Sequence, residues 1–136
     1  MKYNISDKRK LTNSEIKFLT FLFKKEKPEW NNLIKNLKVI ARCGCGICPT
    51  ISFGKTLESE IQKGSLIIDY KGENRKGELI GVFIWGNNIM PTELEFYSIN
   101  GDSNIMELPS IKTLKPRYPK SPDLALNKKN KLITSK

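Results

Sequence analysis

Three thiols fall close together in "RCGCGICPTISF" (Arg42 to Phe53): Cys43, Cys45 and Cys48, in a chain with no other cysteine and no histidine. The Cys45-Gly46-Ile47-Cys48 half has the spacing at which two thiolates of a tight turn hold one zinc ion. A closed structural site needs four ligands, so a carboxylate, a water or a second chain would have to complete it. The same pair can form a disulfide, but the usual thioredoxin-like setting is a βαβ unit, and none is legible. In a reducing compartment an odd set of closely spaced cysteines also argues against a disulfide framework. The expectation is therefore no metal and no cofactor. Gly44 and Gly46 serve a tight reversal, and the thiols pack as small side chains.

The other group able to do chemistry is Asp69, Glu93, Glu95 and Tyr97. Paired carboxylates on one strand face can exchange protons with a substrate. Solvated charges on a half-exposed strand are the commoner outcome. Without histidine, a G-x-S-x-G elbow or a phosphate-cradling glycine loop, nothing completes a catalytic constellation. The expectation is a chain that is not an enzyme, with Asp69, Glu93, Glu95 and Tyr97 as contact residues. Arg117 and Tyr118 join them, because arginine and tyrosine are enriched in protein interfaces.

The elements that must position these residues follow from periodicity. In "LTNSEIKFLTFLFKKEKPEW", Thr12, Asn13 and Ser14 offer a helix cap, Ile16, Leu19 and Phe23 share a face, and lysines close the C-terminal end before Pro28. "PEWNNLIKNLK" predicts a second helix, with proline in its first turn and Trp30, Leu33, Ile34 and Leu37 on one side. From Val39 the period becomes extended. "KVIARC" and "PTISF" flank the cysteine turn as a hairpin, and "SLIIDYKG", "GELIGVFIWG" and "IMPTELEFYSING" predict three more strands in an antiparallel meander. "GDSNIMELPS" predicts a short edge strand. Leu94 and Phe96 alternate with Glu93, Glu95 and Tyr97, so one face of that strand meets a core and the other does not. Trp30 and Trp85 are both expected in the core. The fold class is α+β: two N-terminal helices packed on one face of an antiparallel sheet of about five strands. Residues 1–114 form a single domain, and 115–136 a basic Pro/Lys-rich tail, extended or disordered.

The formal charge is +10 but it is polarised. Residues 1–42 hold eleven Lys/Arg against four Asp/Glu, net +7; residues 43–111 hold five against nine, net −4; residues 112–136 hold eight against one, net +7. Basic ends invite a nucleic-acid reading. Arginine, the residue suited to bidentate phosphate and base recognition, is scarce, limited to Arg9, Arg42, Arg75 and Arg117, so nucleic acid is not the expected partner. The polar opening "MKYNISDKRK" and the short apolar runs predict a cytoplasmic chain without a membrane partner.

"RCGCGICPT" (Arg42 to Thr50) together with "TELEFYSINGD" (Thr92 to Asp102) and the following "ELPSI" resembles a family of small bacterial proteins. That family carries a Cys-Gly-Cys-Gly-Cys-Pro-Ser/Thr turn after two helices and a Leu-Glu-Val/Phe-Tyr-Ser strand near its end. The likeness covers roughly residues 12 to 114. Ile47 lengthens the cysteine spacing by one residue, which a turn tolerates better than a metal site. Such α+β chains are also similar to immunity proteins of polymorphic-toxin and contact-dependent growth-inhibition systems. The resemblance implies an immunity protein that binds and neutralises a cognate toxin protein without catalysis. The competing expectation is a nucleic-acid-binding or zinc-dependent regulatory module using the basic ends and the cysteine turn.

Overall fold

The structure, a computed structural model, describes residues 4–44, 49–101 and 107–118. A strand rather than a helix comes first. β1 (Asn4–Lys10) carries no apolar alternation of its own; it pairs antiparallel with β2 (Lys38–Cys43) from Asn4↔Cys43 to Lys10↔Lys38. Its Lys8, Arg9 and Lys10 place charge on what would otherwise be an open sheet edge.

Helix α1 (Asn13–Glu26) begins where a capping box forms. The Thr12 side chain accepts from the Glu15 N–H at 3.1 Å, and the Glu15 carboxylate accepts from the Thr12 N–H at 2.9 Å. Phe18, Leu19, Leu22 and Phe23 are buried, whereas Ile16, expected on the same stripe, is 37% exposed. Residues Pro28–Asn36 form a 3₁₀ helix with proline at its start, not the second α-helix that the spacing predicts. Asparagine, at positions 31, 32 and 36, is a weak α-helix former. Trp30 is held by an edge-on contact with Phe23, ring centroids 5.4 Å apart.

Among the described residues the strands are seven, not about five. After β2 and β3 (Ile51–Gly54) come β4 (Ser65–Glu73), β5 (Leu79–Gly86), β6 (Pro91–Ser98) and a two-residue β7 (Lys115–Pro116). All pairings are antiparallel, in the order β1-β2-β3-β6-β5-β4-β7. The expected hairpin and meander are both present; β4 and β5 are joined by a turn in which the Asn74 carboxamide accepts two backbone N–H groups and Gly77 takes φ +77°. The hairpin and the meander meet where β3 lies beside β6. Two residue pairs make that seam, and Thr50 extends it: its hydroxyl accepts from the Phe96 N–H at 2.9 Å and donates to the Phe96 carbonyl at 3.4 Å. The expected edge strand in "GDSNIMELPS" lies mostly outside the described residues, and Glu107 to Ser110 are not in a strand.

The core lies between the helical segments and one face of the sheet. Val39, Ile51, Phe53, Ile68, Tyr70, Ile80, Val82, Ile84, Leu94 and Phe96 point into it. Among the described residues no helix covers the opposite face of the sheet.

A candidate protein-binding face

Strand parity sends the residues between those core positions to the uncovered face. The registers Asp69↔Phe83↔Glu95, Lys71↔Gly81↔Tyr97 and Leu66↔Trp85↔Glu93 set them in three rows across β4, β5 and β6. Asp69, Glu93, Glu95 and Tyr97 thus share one surface, as the alternation predicts. Arg117 is brought beside them by β7: its backbone N–H donates to the Asp69 carbonyl at 3.0 Å. Tyr118 follows, 72% exposed. All six residues proposed as contacts from the sequence fall on this face or at its β7 margin. Their role is a separate question, and their convergence is what the structure supplies.

Two aromatic residues complete the surface. Phe83 and Trp85 lie between the acidic columns, in edge-on contact at 5.7 Å, and Phe83 meets Tyr97 at 4.9 Å. Trp85 is therefore not in the core, against expectation. "LIGVFIWG" is apolar on both faces, so the side bearing Ile80, Val82 and Ile84 and the side bearing Phe83 and Trp85 look alike in sequence. The indole N–H donates to Glu95 Oε1 at 2.8 Å, which gives the half-buried ring the polar partner it needs. Gly81 has a specific function. A Cβ there would overlap the Tyr97 ring, so glycine lets that ring lie flat on β5. Above it sits the Arg117 guanidinium, 5.4 Å from the Tyr97 ring centre and 5.4 Å from that of Tyr118.

The face carries three carboxylates, Asp69, Glu93 and Glu95, and three cations, Lys71, Lys115 and Arg117. The Arg117 guanidinium stacks on two rings, those of Tyr97 and Tyr118. Asp69 Oδ1 and Tyr97 Oη are buried and have no hydrogen-bond partner among the described residues. A cleft of about 380 Å³ opens at the β4–β7 edge, lined by Glu26, Ile67, Asp69, Tyr70, Pro116 and Tyr118. Leu66, 43% exposed, adds an apolar border.

β2 ends at Cys43, at one end of this sheet. Cys43 is half-buried at the end of β2, and its N–H donates to the Thr50 carbonyl at 3.0 Å. Cys45 and Cys48 lie outside the described residues. Among the described residues no group of three Cys, Asp or Glu side chains is placed to hold a metal ion. No helix among them is long and apolar enough to cross a membrane. In comparisons with protein-family models, curated proteins and solved structures, nothing matches this chain.

Proposed function

We propose that this chain is an immunity protein that neutralises a cognate toxin by binding it, without catalysis, through the uncovered face of the sheet. The observation that carries the reading is the convergence on that face of Asp69, Glu93, Glu95, Tyr97, Phe83 and Trp85 beside Arg117. It also resolves the charge of the chain. A +10 protein is a poor match for a basic toxin overall, but its three-strand face presents carboxylates around aromatic anchors. The partner surface that fits is basic, with a lysine or arginine entering between Trp85 and Tyr97.

The test is co-expression with the protein encoded immediately upstream. A stoichiometric complex that protects growth is expected, and Trp85→Ala should weaken it by about 2 kcal/mol or more, roughly thirtyfold in Kd. Salt-dependent retention on DNA or RNA with near-stoichiometric zinc, and no toxin complex, would instead establish the regulatory-module reading.

A further inference from the structure

Ile16 belongs by spacing to the apolar stripe of α1 that carries Leu19 and Phe23, yet it is 37% exposed. It lines a groove of about 240 Å³ where the end of β1, the start of α1, the end of the 3₁₀ helix and the start of β2 meet. Ile34 and Leu37, both buried, line the groove with it, and Lys10, Lys35 and Lys38 reach it from three different elements. Among the described residues no carboxylate lines the groove, and none of these three lysines forms an ion pair. Lys38 Nζ meets the Asn36 carbonyl at 3.5 Å. Glu15, beside Ile16 in sequence, is taken up by Arg9 and the Thr12 N–H. The groove falls within the N-terminal segment of net charge +7, on the helical side of the sheet and not on the face that bears Phe83 and Trp85.

Size and charge together select the occupant. Sites that enclose a free small molecule usually offer about 300 Å³ or more, so this groove suits a single bulky side chain presented by a polypeptide. Three ammonium groups beside an apolar wall, where water screens less, favour carboxylates on either side of that side chain. A nucleic-acid backbone would meet the lysines but leave the apolar wall uncovered. We propose that the groove binds an acidic segment of a partner protein, with one Leu, Phe or Trp side chain seated against Ile16, Ile34 and Leu37 and the flanking Asp or Glu carboxylates on Lys10, Lys35 and Lys38. The inference stands apart from the reading of the opposite face and does not require the partner to be a toxin.

The test titrates the full chain into a fluorescein-labelled peptide of glutamates around one central phenylalanine, read by anisotropy. The triple variant K10E/K35E/K38E should raise Kd about tenfold or more, whereas K24E/K63E/K76E, which changes the net charge equally at exposed positions elsewhere, should raise it less than about threefold. Replacing the peptide's phenylalanine by glycine should also weaken binding about tenfold, a readout that needs no change in the protein. Equal losses for the two triple variants, or equal binding of the glycine peptide, would overturn the proposal, because the chain would then be acting as a diffuse polycation. An oligonucleotide that displaces the peptide at lower concentration than the unlabelled peptide does would overturn it too, and make the groove a phosphate site. A second copy is the remaining rival, since Leu57 and Ile61 are exposed beside Glu58 and Glu60. Dimerisation seen by sedimentation and lost in K10E/K35E/K38E would assign the groove to that loop and end the proposal.

Discussion

Tyr97 and Tyr70 show how one residue type serves opposite faces of the same sheet. Tyr97 lies flat over Gly81 because glycine leaves room for the ring, and Arg117 stacks on what that ring presents. Gly81→Ala should push the ring off β5 at a cost of about 1–3 kcal/mol, read by urea denaturation, and should weaken partner binding as well. Stability within a few tenths of a kcal/mol of wild type would mean that Tyr97 swings aside freely. Tyr70 points the other way, and its hydroxyl donates to Glu26 Oε2 at 2.6 Å, tying the end of α1 to β4. Burial, and then the neighbouring Glu26 carboxylate, hold the phenol above its ordinary value of 10.0. A folded value above the unfolded one gives stability that is complete below about pH 10 and is lost as the pH rises further. Tyr70→Phe should cost about 1 kcal/mol at neutral pH and flatten that alkaline decline. Equal alkaline slopes for the two proteins would show that Tyr70 does not cause it.

At the level of elements, the junction of β1 with α1 depends on Glu15. Its carboxylate closes the capping box and also receives Arg9 bidentately, both bonds at 2.9 Å, so it joins the edge strand to the helix start. Burial pushes the Glu15 carboxyl up, but the bonds from Arg9 and Thr12 outweigh it and hold the group below its ordinary 4.5. A depressed value contributes stability above about pH 4.5, lost as the pH falls through the lower folded value. Glu15→Gln should therefore destabilise by about 1 kcal/mol at neutral pH and much less near pH 3; an equal loss at both would assign the effect to packing. The second junction is the β3–β6 seam. Thr50→Val keeps the shape but leaves the buried Phe96 N–H without its acceptor, and should cost about 1–3 kcal/mol by the same measurement.

For the whole molecule, the polarised charge is a statement about association. The ends are each net +7 and the middle segment is net −4, and three of the nine carboxylates of that middle segment, Asp69, Glu93 and Glu95, gather on the uncovered face. A basic partner should be steered there, so Glu93→Gln with Glu95→Gln should lower the association rate about tenfold at low salt and reduce its dependence on ionic strength. An unchanged rate with faster dissociation would place these carboxylates in local contacts rather than in steering.

Much of this surface was legible in the chain because alternation is local. Glu93, Glu95 and Tyr97 must share one side of β6 whatever the strand packs against. The cap at Thr12 and the turn at Asn74 to Gly77 are equally local, since each needs only side chains a few residues apart. Other features depended on partners distant in sequence. "NISDKRK" has no strand signal, yet it is a strand because the edge of β2 offers it hydrogen bonds. Residues Pro28–Asn36 carry a helical spacing, but tertiary packing of Trp30 and the asparagine-rich backbone settle on 3₁₀. Whether β5 buries Phe83 and Trp85 or Ile80, Val82 and Ile84 cannot be decided from a segment apolar on both sides; only the helices, lying on one face, choose. By itself, then, the sequence determined which residues travel together on a strand. The order β6-β5-β4-β7 decided that three such sets, and the arginine that follows them, meet on one surface, because hydrogen-bonded neighbours in a sheet are selected through space and not along the chain.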